Sequence, residues 1–203
     1  MGTVGRQERK KLATRQTIYD TAIRLFREKG YQATTVGEIA TEADVAKATF
    51  FKHFAKKYEL IEEIIKQRGN MIREAAADEQ VEQLSTREQI DHMLRILCRS
   101  IEGDRELAAI SLREYMGSGD VLSEESPLIE ILFQTLERGK KRGELSDHAP
   151  SRVVARMLWS YYLESYMAWL RNEEGASLES MLAHGVDVVF RGIAPEKLNT
   201  SLP

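Results

Sequence analysis

The stretch Thr34–Lys57 reads TTVGEIATEADVAKATFFKHFAKK, and its spacing decides the fold. Thr35 stands three residues before Glu38, the spacing of a capping box, in which the threonine hydroxyl accepts from the Glu38 amide and the carboxylate accepts in return from the Thr35 amide. A short helix therefore starts at Val36. It reaches only to about Ala43, because Asp44-Val45 interrupts the pattern before a second short apolar run, Ala46 to Phe54. Two short helices joined by a tight turn make a helix-turn-helix. In such a unit Ile39, Ala40, Val45, Phe50 and Phe54 face inward, and Lys47, Thr49, Phe51 and His53 lie on the outer face, free to enter a major groove.

Apolar residues recur at helical spacing on both sides of this stretch. Ile18, Ala22, Leu25 and Phe26 mark a first helix from about Lys11 to Lys29, and Gly30 supplies its stop. Downstream, Leu60, Ile61, Ile64, Ile65, Met71 and Ile72 predict a linker helix over about 58–79. Further helices are expected near 87–102, 104–117, 126–142, 150–173 and 177–191. No segment alternates like a strand, and only four prolines interrupt the chain. The expected fold is all-α, with an N-terminal three-helix helix-turn-helix domain at 1–57, including a basic tail at 1–11, and a second helical domain at 58–203.

Charge divides the chain at the same place. Residues 1–57 carry 12 basic and 6 acidic side chains, a net +6, whereas residues 58–203 carry 17 and 26, a net −9. The basic end is the one suited to phosphates, because affinity for DNA depends on local Lys and Arg rather than on the whole-chain balance. The single cysteine, Cys98, has no internal disulfide partner and suits a reducing compartment. The N-terminal residues lack a signal-peptide apolar region, and no run approaches the roughly 20 apolar residues of a membrane span, so a cytoplasmic protein is expected.

The residues of the central stretch resemble the TetR/AcrR family of one-component regulators. The resemblance runs from about Thr14 through Leu60. It rests on Thr35, Ile39-Ala40, Val45, Lys47, Thr49-Phe50-Phe51, His53-Phe54 and Lys57. It implies a homodimer of about nine helices per chain, bound to double-stranded operator DNA through Thr35, Gly37, Lys47, Ala48, Thr49, Phe51, His53 and Lys57. Three positions depart from the family pattern. Asp44 stands where a turn glycine is usual, Ala46 replaces the serine that caps the recognition helix, and Phe51 replaces a tyrosine, removing a phenol that would bond phosphate. Arg6, Arg9, Lys10, Lys11 and Arg15 have two readings, a minor-groove arm or a solubilising terminus.

The resemblance also implies that the C-terminal domain binds a small-molecule inducer and dimerises. Met93, Leu97, Ile110, Glu114, Phe133, Met157, Tyr161 and Trp169 are the candidate lining residues, suited to an apolar or amphiphilic ligand; the alternative for each is ordinary core or surface. Leu158, Tyr162, Leu178, Met181, Leu182, Gly185 and Val189 are the candidate dimer residues, with Gly185 permitting close helix approach. No cofactor or metal is expected. His53, His92, His148 and His184 are far apart in sequence and show no metal-ligand spacing, Gly139-Lys140 lacks the context of a phosphate loop, and no G-x-S-x-G occurs. An enzyme is therefore disfavoured. A pure interaction module leaves Thr34–Lys57 unexplained, and a monomeric helix-turn-helix activator is the nearer rival.

Overall fold

The computed structural model describes residues 5–118, 126–171 and 175–193. Among these the chain forms ten helices: α1 (Arg6–Lys29), α2 (Val36–Glu42), α3 (Lys47–His53), α4 (Glu59–Ala76), α5 (Glu79–Glu82), α6 (Thr86–Glu102), α7 (Arg105–Ser118), α8 (Pro127–Lys141), α9 (Ser151–Arg171) and α10 (Leu178–Ile193). The sequence-based count was about nine, and the extra helix is α5. Asp78 accepts from the Gln80 amide and starts a new turn, so the expected linker helix stops at Ala76 and a short separate helix follows.

The chain divides into two compact units. The first holds residues 1–66 and 106–117, the second 67–105 and 118–203. The first unit thus extends past residue 57 and recruits α7. The second begins within α4.

The first unit closes around Ile18, Ala22, Phe26, Ile39, Phe50 and Phe54, with Leu60 and Ile61 of α4 and Ile110 of α7 added to the same core. These positions share one face of each helix because 3.6 residues make a turn, so residues three or four apart line up. Gly30 ends α1 with φ of 82°, a conformation that costs glycine nothing, and its amide bonds the Phe26 carbonyl. At its other end α1 runs back to Arg6, so most of the expected basic tail is helix. Residues 1–4 lie outside the described part.

In the second unit α6, α8, α9 and α10 form a ring, α8 packing on α6 and α9, and α10 on α6 and α9. Its joints are polar groups placed at helix ends. Glu102 of α6 accepts from the Leu178 amide at the start of α10, at 2.6 Å, and Arg105 donates to the carbonyls of Trp169 and Leu170 at the end of α9. Glu144 accepts from both the amide and the hydroxyl of Thr86 where α6 begins. Each contact satisfies a backbone group that a helix end leaves open. Gly139 on α8 lets Thr86 sit against it, since a Cβ there would overlap the threonine side chain.

Candidate nucleic-acid interface

The capping box that starts α2 is complete. The Glu38 amide donates to the Thr35 hydroxyl at 3.2 Å, and the Thr35 amide donates to the Glu38 carboxylate at 2.9 Å. These bonds, followed by Lys29 at 3.3 Å, hold the Glu38 carboxyl below the usual carboxylate range. Ala43 closes α2, and Asp44 then takes φ of 52°, the left-handed turn conformation expected where the family pattern has glycine. α3 starts at Ala46 with no side-chain cap. The Asp44 carboxylate does not substitute for the missing serine.

Seven residues cannot sustain a helix by propensity alone, so α3 is held by packing. Phe50 and Phe54 are fully buried, their ring centroids 5.9 Å apart, against Ile39 and Ala40 of α2 and the inner face of α1. That anchoring leaves Lys47, Ala48, Phe51 and Lys52 exposed, with Thr49 and His53 half-buried at the edges of the same face. Phe51 is 46% exposed, a large apolar ring in water. Thr35 is exposed and Gly37 half-buried at the start of α2, and a Cβ at Gly37 would meet only the Thr35 hydroxyl at 3.7 Å. The structure thus gathers the candidate DNA residues other than Lys57 at the first turn of α2 and on α3, and adds Lys52. The period of the helix signalled Lys52, which lies next to Phe51 on the exposed arc.

Lys57 is placed differently. Its ammonium donates to the carbonyls of Tyr31 at 2.6 Å and Thr34 at 2.9 Å, and sits 4.1 Å from the centre of the Tyr31 ring. It braces the loop between α1 and α2. Burial lowers its pKa, an effect that the charge of Glu114 opposes; burial and Glu114 also raise Tyr31 to about 12. His53 lies below the usual imidazole range because it is partly buried and because Arg15, Lys11 and Lys52 add positive charge around it.

Residues 18–64 match the model of bacterial regulatory proteins of the tetR family. The N-terminal segment is similar to the DNA-binding domain of that family of transcriptional regulators. The HTH-type regulator YvkB of Bacillus subtilis is 28% identical over 196 residues, spanning 90% of this chain and 98% of that protein. The fatty acid metabolism regulator protein of the same organism is 22% identical, spanning 87% and 93%. Among solved structures, Thermus thermophilus FadR in complex with lauroyl-CoA superposes with a TM-score of 0.70 at 20% identity, covering 93% of this chain and all of that one, a likeness of fold. The two curated relatives are regulators by name, and the solved structure is that of a transcriptional repressor with lauroyl-CoA bound. Among the described residues no helix is long and apolar enough to cross a membrane.

The residues expected at the ligand and dimer sites fall in different surroundings. Met93, Leu97 and Trp169 are buried in that unit, as a lining residue would be. Ile110 and Glu114 instead belong to the first unit, where Ile110 joins the helix-turn-helix core. Met157 is 53% exposed on α9. Phe133 is half-buried under the Arg152 guanidinium, 4.0 Å from its ring. Tyr161 donates to the Met181 carbonyl at 2.9 Å and fills the space that Gly185 leaves open, since a Cβ there would overlap its ring. The close approach foreseen at Gly185 therefore lies between α9 and α10 of one chain.

Leu158, Tyr162, Leu178 and Leu182, foreseen at the dimer surface, are buried by their own chain. Met181, Gly185 and Val189 are half-buried. The apolar side chains that α9 and α10 present to solvent are Val153, Met157 and Val188, the last 70% exposed. A cleft of about 170 Å³ between α6 and α10, lined by Leu94, Cys98, Leu182 and Ala183 with Asp91, Arg95 and Glu179 around them, contains none of the foreseen lining residues. It falls below the roughly 300 Å³ at which small-molecule pockets begin.

Proposed function

We propose that this regulator is a cytoplasmic repressor that leaves a palindromic operator when a long-chain amphiphilic ligand, an acyl-CoA or a fatty acid, enters its second domain. The observation that carries the DNA part is the exposed arc Lys47, Ala48, Phe51 and Lys52 on a helix pinned from behind by Phe50 and Phe54. Such a helix can enter a major groove as a rigid body, with the lysines toward phosphates and Phe51 toward sugars or thymine methyls. Thr35, Gly37, Thr49 and His53 flank it. Lys57 acts on this reading mainly through the loop it braces. Two copies on one duplex require a palindrome, since the symmetry of the site mirrors that of the dimer.

Support for the ligand class comes from likeness. One full-length relative is a fatty acid metabolism regulator, and a structural neighbour is a FadR holding lauroyl-CoA. Within the second unit the Ser165 hydroxyl is fully buried without a protein partner, near Tyr162, Tyr166 and Trp169 on the same helix. A polar group of that kind among aromatics suits a ligand that is mostly apolar with a polar handle.

The test starts with selection of bound duplexes from a random pool by the full-length protein, at two salt concentrations. An enriched palindrome is expected. Lauroyl-CoA, laurate and coenzyme A are then titrated into the complex; release by the acylated species, and not by coenzyme A alone, supports the ligand class. Failure to enrich any sequence would sink the operator reading, and indifference to all three compounds would sink the ligand reading alone.

A further inference from the structure

Arg15 lies on α1, 38 and 48 residues away in sequence from the groups its guanidinium holds. Nη1 donates to the His53 carbonyl at 2.6 Å, and Nη2 to Glu63 Oε2 at 2.8 Å. The flat face of the cation lies 4.1 Å from the centre of the Phe54 ring. One planar group therefore touches the last residue of α3, the buried aromatic after it, and the second turn of α4.

We infer that Arg15 is a positioning residue for DNA recognition, acting through α3 rather than by touching the duplex. This rests on the helix-turn-helix reading above. α3 is only seven residues long and starts without a side-chain cap, so its aim depends on the turn before it, on the burial of Phe50 and Phe54, and on this guanidinium at its end. The His53 carbonyl belongs to the last turn, where helices leave acceptors without intrahelical partners, and a charged donor is the stronger kind of partner for it. The fork geometry matters. Arginine presents two N–H groups in one plane while stacking on a ring, and lysine, a point charge on a flexible stem, cannot do all three at once.

Glu63 gives the arrangement its direction. The Arg15 to Glu63 ion pair is only partly exposed, at 35% and 21% of the side chains, which shields it from salt better than a surface pair. Because Glu63 already neutralises and orients Arg15, the cation is not offered to phosphate. α4 is also the helix that starts in the first unit and continues into the second. A shift of α4 that carries Glu63 away removes one arm of the fork and loosens the end of α3.

The experiment uses the full-length protein and a duplex that the unmodified protein enriches from a random pool. Affinity is measured across a salt series for Arg15→Lys, Glu63→Gln and the double variant, each well below its own melting temperature and with the binding-competent fraction fixed by stoichiometric titration. Both single variants are expected to weaken binding on the order of 10-fold, the scale of a lost charge-assisted contact. The salt slope should stay unchanged, and the double variant should be no weaker than the worse single one. Tighter binding by Glu63→Gln, or a salt slope reduced by about one phosphate in Arg15→Lys, would show that Arg15 contacts DNA and overturn the inference. Lowered melting temperature with unchanged affinity of the folded protein would overturn it in favour of a purely structural role. If the unmodified protein enriches no duplex, the DNA-binding reading itself falls, and this inference with it.

Discussion

Single side chains decide more in this regulator than their type suggests. Lys57 reads as a phosphate contact in the sequence, yet its ammonium is spent on the Tyr31 and Thr34 carbonyls. Replacing it by methionine keeps the stem and removes both bonds. A loss of about 1 to 3 kcal/mol in unfolding free energy is expected from the carbonyls left without a partner, read as a lower denaturant midpoint at constant slope. His53 yields a prediction in pH. In the free protein, burial and then Arg15, Lys11 and Lys52 depress its pKa, so the imidazole is neutral at pH 7. Phosphates nearby would raise it again. Since the bound pKa is then the higher one, the gain in affinity is complete below the free-state pKa and is lost as pH rises through the bound-state value. Binding measured from pH 8 to pH 6 should therefore tighten, and His53→Gln should flatten the profile.

At the scale of elements, α3 shows what its departures from the family pattern cost. Asp44 occupies a left-handed turn at φ of 52°, and Ala46 provides no cap. Asp44→Gly should relieve the turn by up to roughly 1 kcal/mol, less whatever freedom glycine restores to the unfolded chain. Ala46→Ser is expected to gain about 1 kcal/mol by giving α3 an N-cap, and both gains are readable in thermal or denaturant unfolding. An unchanged midpoint in Ala46→Ser would mean that its hydroxyl does not reach the α3 amides. The capping box, the turn at Asp44 and the buried pair Phe50 and Phe54 were all legible beforehand, because each is a local rule of spacing or backbone sterics. The fork at Arg15 was not. Its partners lie 38 and 48 positions away, beyond any local pattern, and the arginine by itself looks like one more basic residue of the tail.

At the scale of the whole molecule, burial reassigns the surface available to a second copy. Leu158, Tyr162, Leu178 and Leu182 are buried by their own chain, in the unit that holds α6, α8, α9 and α10, and leave little surface to a second copy. Val153, Met157 and Val188 are the large apolar side chains that α9 and α10 expose. Met157→Lys with Val188→Lys should lower the dimer's association constant at least 10-fold, since charges would replace apolar contact area, while leaving the helical content unchanged. Light scattering over a dilution series measures this, and a dimer of undiminished stability would exclude these two residues from the interface.

The sequence by itself determined the class of the fold and the place of the helix-turn-helix. Those follow from short-range spacing, capping chemistry and local charge, which a chain displays whether or not it is folded. Only the tertiary structure decided that Lys57 braces a loop, that Ile110 joins the helix-turn-helix core, that Gly185 accommodates Tyr161 of its own chain, and that Arg15 ties α3 to α4. A helical period says that a residue lies on an apolar or polar face. Which neighbour covers that face depends on how distant helices pack, and that packing is fixed by the whole set of buried side chains together.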